Sequence, residues 1–261
     1  ELKNWFTNVD FTIVGSGIVG LHTALALRNR FSRAKILVLE KGILPQGAST
    51  KNAGFACFGS ISEIIDDLKT HSEEEVLQLI QKRYAGLQLL RKNLGDLALD
   101  YKPFGGYELF LNTDESFYNE CIEKIPIINE IIKPLFKAEV FSKKTNQFQF
   151  QNIFDYLIFN PFEAQIDTGN MMQALLKKVH ENDILILNSQ NVTSFQELND
   201  GVEVVANGIS FKTNKVLFAT NGFAAELTNN QVQPARAQVL ITKPIANLAI
   251  KGTFHLDKGY Y

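Results

Sequence analysis

Short apolar runs alternate with amphipathic stretches along this chain, and the period changes with them. Phe11–Val14 is an apolar run that ends in Gly15-Ser16-Gly17-Ile18-Val19-Gly20. Leu21, Ala24, Leu25 and Arg28 then continue at helical spacing, and Lys35–Leu39 forms a second aliphatic run that closes on Glu40. The pattern predicts strand, tight turn, helix and strand over residues 11–40. Such a βαβ unit crosses over right-handed and starts a parallel sheet.

Residues 41–59 have no strong period and carry Gly42, Gly47, Gly54 and Gly59, so they read as a long loop. Long loops in compact domains usually carry function. Ser60 with Glu63, and Ser72 with Glu75, have capping-box spacing ahead of apolar periodic stretches and predict two helices, the second ending at Gly95. From Gly105 the character changes. Tyr107–Leu111 reads as a strand, Ser116–Ile125 as a helix cut at Pro126, and Phe154–Phe159 as an aromatic strand. Thr168 opens a helix through His180, and Ile184–Leu187 is a strand. Asn199-Asp200-Gly201 and Asn207-Gly208 are hairpin turns joining Val192–Leu198, Val202–Val205 and Ile209–Lys212. Lys215–Ala219 is a late strand running into Thr220-Asn221-Gly222. The expected fold is α/β: a Rossmann-like dinucleotide-binding domain, discontinuous over 1–100 and 160–235, with an inserted α+β domain over 101–159 and 236–261.

Composition narrows the function. With 261 residues, 45% apolar and 21% charged, the chain can bury a full core without disulfides or a structural metal. Cys57 and Cys121 lie far apart with no Cys/His ligand spacing, which argues against a disulfide scaffold or zinc site and fits a reducing, cytoplasmic compartment. The net charge of −2 is spread without a basic block, so nucleic acid is not an expected partner. No apolar run approaches the ~20 residues of a membrane span, and residues 1–10 lack the order of a signal peptide. The chain opens on Glu1 and stops at Tyr260-Tyr261, just after the turn signal Asp257-Lys258-Gly259, so coding sequence is expected to continue beyond it.

In a GxGxxG turn each glycine has its own task. Gly15 permits the turn, Gly17 lets the backbone approach a pyrophosphate, and Gly20 packs helix on strand. The helix start adds free N–H groups and about half a positive charge. The hexapeptide alone is weak evidence. Here it follows a strand, opens a helix, and is followed twenty residues after Gly20 by Glu40, placed to accept hydrogen bonds from both hydroxyls of an adenosine ribose. Glu40 would repel a 2′-phosphate, although Lys41 beside it leaves a phosphorylated dinucleotide open.

The fingerprint does not separate NAD from FAD. A plain nicotinamide domain returns at once to helix and strand, whereas this chain runs through Gly47-Ala48-Ser49-Thr50-Lys51-Asn52-Ala53-Gly54-Phe55, small and hydroxyl-bearing residues suited to passing close to a flat ring. At these residues the chain resembles the FAD-dependent amino-acid and amine oxidase family that includes D-amino acid oxidase, glycine oxidase and sarcosine oxidase. Val216–Gly222 resembles the family's late strand, and Arg236-Ala237-Gln238-Val239-Leu240 its arginine-led segment. The likeness runs from residue 11 to about 243.

That resemblance implies pyrophosphate on Gly15–Gly20, Ile18 included, ribose on Glu40 and Lys41, and the flavin side on Ser49, Thr50, Asn52, Ala53, Gly54 and Phe55. It implies a backbone contact of Val192 with adenine, and closure near the phosphates by Ala219, Thr220 and Gly222. Thr50-Lys51-Asn52 stand where some relatives attach flavin through a histidine, so FAD is expected to be noncovalent. The substrate would be an amine or amino acid whose C–N bond is oxidised by hydride transfer, with oxygen or another acceptor reoxidising the flavin. Tyr260 and Tyr261 resemble the aromatic strand that faces the substrate, and Arg236 is a weaker carboxylate candidate. His22, His71, His180 and His255 have no metal-ligand partner at i+4 and read as structural. Two alternatives stand beside this reading: an FAD-binding portion without independent activity or part of a larger modifying enzyme, and an NAD-linked dehydrogenase.

Overall fold

The computed structural model describes residues 2–228, 231–235, 237–256 and 258. In chain order the elements are α1 (Leu2–Trp5), β1 (Val9–Val14), α2 (Ile18–Arg30), β2 (Ile36–Leu39), a 3₁₀ turn (Ala48–Thr50), β3 (Phe55–Ala56), α3 (Ile61–Asp67), α4 (Glu73–Leu94), α5 (Asp96–Leu99) and β4 (Gly106–Leu109). They continue with α6 (Glu115–Phe136), β5 (Ser142–Thr145), β6 (Tyr156–Asn160), β7 (Ala164–Gln165), α7 (Thr168–Glu181), β8 (Leu185–Leu187), β9 (Val192–Leu198), β10 (Gly201–Ala206), β11 (Ile209–Phe218), a second 3₁₀ segment (Asn221–Glu226) and β12 (Thr253–Leu256). The fold is mixed α/β and divides into two compact units, 1–52 with 168–240 and 53–167 with 241–261.

The first unit holds a six-stranded sheet in the order β8-β2-β1-β11-β10-β9. Its first four strands are mutually parallel, and β10 and β9 extend it antiparallel. β1 and β2 are buried along both faces, which is why they read as near-continuous apolar runs rather than alternating ones. Helix α2 turns Leu21, Ala24 and Leu25 inward, and α7, which packs beside it, buries Met171, Met172, Leu175 and Val179. A separate apolar cluster joins Phe6, Val14, Leu39, Leu187, Val204 and Phe211. Lys215–Ala219, expected as a separate strand, falls instead at the end of the ten-residue β11, which runs on from the Asn207-Gly208 turn and stops at Phe218.

The second unit is built on the sheet β12-β4-β6-β5, in which β12 runs parallel to β4 and the other pairings are antiparallel. Both capping boxes form: Ser60 and Glu63 close the start of α3, and Ser72 and Glu75 the start of α4. The core here contains Phe58, Ile61, Ile64, Ile80, Phe110 and Ile128. Burying each of these contributes about 2 kcal/mol. Helix α6 does not stop at Pro126 as the sequence suggests but continues through Pro126 and Pro134 to Phe136. Tyr118, Cys121, Ile128, Asn129 and Ile132 keep one buried face across the first proline, and that burial outweighs the ~3 kcal/mol a helical proline costs. Asn129 adds three hydrogen bonds inside the core, accepting Val140 N–H and Phe141 N–H and donating to Phe141 O. The boundary between units also differs from the sequence expectation. Residues 53–100 group with the second unit, because the buried faces of α3 and α4 join α6 in its core.

Candidate functional site

The glycine turn is fixed by the strands on either side of it. Gly15 N–H donates to Leu39 O at 2.8 Å and Ala219 N–H donates to Val14 O at 2.8 Å, so the turn leaves the sheet between the ends of β2 and β11. Gly15 has φ +106°, and a Cβ there would stand 2.6 Å from Ala219 O. Gly20 meets the same turn from the helix side, with no room for a side chain against Gly15 O.

Glu40, placed by the end of β2, reaches the turn directly. Its Oε2 accepts Ser16 N–H at 3.0 Å and the Ser16 hydroxyl at 2.6 Å, and its Oε1 accepts Gly42 N–H at 2.9 Å. Ser16, fully buried, was not singled out by the sequence reading; its small hydroxyl is what joins the acidic residue to the glycine turn. Lys41 is exposed beside it. The main chain of this corner is pinned as well, with Glu40 O accepting from Gln190 N–H and Gly42 O from Ser189 N–H.

At the start of α2, Gly17 is the N-cap and offers no side-chain acceptor. Ser49 supplies one from the 3₁₀ turn, its Oγ accepting Ile18 N–H at 2.9 Å. Thr50 Oγ1 donates to Gly47 O, and Asn52 Nδ2 donates to Ala48 O and Ser49 O, which hold that turn in shape. Val192 opens β9 and is buried among Val14, Leu39 and Leu187. Thr220 follows Ala219, and its buried Oγ1 has no hydrogen-bond partner. Gly222 lies against Pro234.

The structure brings Gly15, Gly17, Ile18, Gly20, Glu40, Ser49, Ala219 and Thr220 together in the first unit. It places Ala53, Gly54 and Phe55 in the second. There Gly54 O accepts Ile166 N–H, and Phe55 pairs with Gln165 and sets its ring edge-on to His255 at 5.2 Å. Tyr260, Tyr261 and Arg236 lie outside the described residues, as do Asp257 and Gly259 of the expected turn. Cys57 is half-buried. His22 donates from Nδ1–H to Ile18 O, and burial pulls its pKa down against that hydrogen bond.

Tested against a dinucleotide, the first unit fits. The helix start has a cap without a side chain, a Cβ on Gly17 would occupy the space 2.9 Å from Ser49 Oγ, and the unpartnered Thr220 hydroxyl sits beside the turn. Each is a donor or a clearance that an anionic diphosphate uses. Among the described residues no group of His, Cys, Asp and Glu could hold a metal ion, and no helix is long and apolar enough to cross a membrane.

The second unit carries a polar site that the sequence reading missed. Glu163, His255 and Glu108 are all buried, at 1%, 1% and 3% exposure, although acidic side chains are almost never buried without partners. By sequence alone His255 reads as an isolated structural histidine. No local pattern points to it, because its partner stands 92 residues away.

Residues 10–261 match the family described as DAO, FAD dependent oxidoreductase, and the chain belongs to that family. Among solved structures, L-amino acid deaminase from Proteus vulgaris superposes with TM-score 0.65 at 16% identity, covering 83% of this chain and 48% of that one. Glycine oxidase from Geobacillus kaustophilus gives 0.64 at 20%, covering 83% and 56%. L-Proline dehydrogenase from P. horikoshii gives 0.61 at 17%, covering 95% and 64%. The chain thus spans about half the length of the first two. A search of curated proteins found no match.

Proposed function

We propose that this chain binds FAD noncovalently on its first unit and contributes to an enzyme that oxidises the C–N bond of an amino acid or amine. The observation that carries the reading is the glycine turn at the start of α2 with Glu40 hydrogen-bonded into it. Gly15–Gly20 and Ile18 would receive the pyrophosphate, with the Thr220 hydroxyl, Ala219 and Gly222 closing over it. Glu40 and Lys41 would meet the ribose, and the Val192 backbone the adenine. Ser49, Thr50 and Asn52 would form the flavin side on that unit; Ala53, Gly54 and Phe55 belong to the second.

FAD, when bound, supplies acceptance of a hydride equivalent from the carbon next to an amine nitrogen. The protein's share is binding, orientation and exclusion of water. Glu40 would have to exchange its present bonds to Ser16 and Gly42 for ribose hydroxyls, or share them, since a carboxylate has about four acceptor sites. Tyr260 and Tyr261 would border the substrate. Three known relatives of this fold are named for acting on amino acids, which supports a substrate of that class, with oxygen or a second acceptor taking the electrons.

The test is an absorption spectrum of the purified chain, followed by heat denaturation and assay of the supernatant. Flavin bands with FAD released by heat are expected. A chain that takes up no FAD, both alone and in its full-length gene product, overturns the reading. An amine and amino-acid screen on the full-length product then identifies the substrate.

A further inference from the structure

The first unit has a second concave face, at the end of its sheet away from the glycine turn. The first residues of β1, the connection from α2 to β2, and Asn214 with Lys215 of β11 line a trough of about 650 Å³. Phe11 stands between Ile36 of β2 and Lys215 of β11 in the sheet. It lies four residues before Gly15 on an extended strand, so the trough is roughly 13 Å from the turn. Nucleotides in open α/β sheets bind outside the carboxyl ends of the strands. This trough is at the amino ends of β1 and β2 and is no part of the dinucleotide site.

Its walls are held by bonds inside the unit. Arg28 spends its guanidinium on backbone: Nη1 donates to Ser32 O and Ala34 O at 2.8 Å each, Nε to Asn182 O at 3.0 Å and Nη2 to Asp183 O at 3.0 Å. That fixes the path of the α2–β2 connection. Asp10 ties the other side, its Oδ2 accepting Lys35 N–H at 2.8 Å and its Oδ1 accepting from Asn214 Nδ2 at 3.0 Å. The rings of Phe11 and Phe31 meet at 5.2 Å and 32°, and the Arg30 guanidinium lies 5.4 Å from the centre of Phe31. A site shaped in advance spends less on ordering when a ligand arrives.

The charges around the trough are unbalanced. Arg30, Arg33 and Lys215 are exposed on its lining, and among the described residues none of the three is in a salt bridge. The lining has one carboxylate, Asp10, and both of its oxygens are engaged in bracing the walls. Three cations against one carboxylate leave positive charge in excess beside an aromatic pair, on a chain whose net charge is −2. Phe31 is 41% exposed. Arginine and aromatic side chains are the types that carry binding energy at protein interfaces, and a guanidinium takes a carboxylate through two parallel hydrogen bonds. Small-molecule sites enclose most of their ligand, whereas every residue from Arg30 to Arg33 is open to solvent here, which suits a chain segment lying across the surface. Three cations are few for the phosphate track of a nucleic acid. We propose that this trough is a docking site for an acidic segment of a partner protein, with carboxylates on Arg30, Arg33 and Lys215 and an aromatic side chain against Phe11 and Phe31. The inference does not depend on FAD binding.

The experiment titrates the purified chain, with FAD added, into a fluorescein-labelled peptide of one tryptophan flanked on each side by two glutamates, read by fluorescence anisotropy. Peptides with glutamine or lysine in place of glutamate, an oligothymidylate and AMP are the comparisons. The acidic peptide is expected to bind saturably, at least about tenfold tighter than the glutamine peptide, and to weaken between about 50 and 200 mM salt. Arg30→Glu with Arg33→Glu is expected to lose at least about tenfold for the acidic peptide and to take up the lysine peptide instead, a reversal that a change in folding alone does not produce. Phe31→Ala should cost about threefold to tenfold through the tryptophan. If the charge-reversed protein does not fold, Arg30→Gln with Arg33→Gln decides by a loss of at least about threefold. No saturable binding of the acidic peptide to the natural chain overturns the proposal. So do equal binding of the glutamine peptide, unchanged binding by the charge-altered variants, and tighter binding of oligothymidylate or AMP. FAD uptake measured in the same samples keeps the two readings apart: peptide bound without FAD overturns only the FAD reading, and FAD bound without peptide overturns only this one.

Discussion

The glycine turn of the first unit and the buried polar network of the second solve opposite problems. In the turn, function needs clearance beside the main chain; Gly17 supplies it, since a side chain there would meet only the Ser49 hydroxyl, while Gly15 and Gly20 let the turn close against Ala219 O and Gly15 O. In the network, charges are kept from water and must find each other, as Glu163 and His255 do at 2.7 Å. A clearance is tolerant, because neighbouring atoms need only stay away. A buried charge pair is intolerant, because losing one partner leaves the other desolvated and alone.

The largest expected effect follows from that intolerance. Glu163→Ala should lower the stability of the second unit by about 3–5 kcal/mol, measured by urea unfolding with amide exchange over 53–167. A loss below about 1 kcal/mol would erase the contrast between the two regions. Gly17→Val should weaken FAD binding about 100-fold while far-UV circular dichroism stays unchanged, because the added carbons meet the movable Ser49 hydroxyl rather than backbone. Full affinity in that variant would reject the pyrophosphate assignment. Glu40→Ala should cost about tenfold in FAD affinity, since lost ribose hydrogen bonds are partly replaced by water. An unchanged dissociation constant would remove the ribose contact.

The smallest effect is one of pH and sharpens the comparison. His255 holds its proton to higher pH in the folded protein than in the unfolded chain, so its contribution is complete below the ordinary histidine value and fades as pH rises through its raised one. Glu108 acts in the same direction from the ordinary carboxylate value upward, because folding favours its neutral form. Amide exchange in 53–167 should therefore quicken with rising pH beyond its intrinsic chemical dependence, with no matching change around the glycine turn. Equal change in both units would show that the network is not the source.

Where sequence reading succeeds and fails follows from distance along the chain. The turn, α2 and Glu40 lie within 26 residues, and the capping boxes at Ser60 and Ser72 within four each, so their physics is written locally. Helix α6 defeats the local rule because its buried face is decided by α3 and α4, elsewhere in the chain, and Pro126 is overruled. His255, Glu163 and Glu108 cannot be grouped from spacing at all, since Ser62 and Glu108 are 46 apart and Glu163 and His255 are 92 apart. Ser49 sits between these cases. It belongs to a recognisable segment, yet its bond to Ile18 N–H across 31 positions becomes visible only when the 3₁₀ turn is in place.

The pairing of β1 with β11 has a consequence for synthesis. Val9 stands opposite Thr213, so the strand that begins the first unit waits for a neighbour translated 204 residues later. At ribosomal speeds of about 5–20 residues per second that is a delay of roughly 10–40 seconds. During it β1 and β2 exist as an unflanked apolar pair, the kind of exposed strand edge that recruits chaperones or foreign strands. Most of the intervening 53–167 emerges and can collapse first, with β4 lacking its β12 neighbour until residues 253–256 are made. Cells making this protein in quantity should therefore lose it to aggregation chiefly through nascent chains stalled short of residue 218.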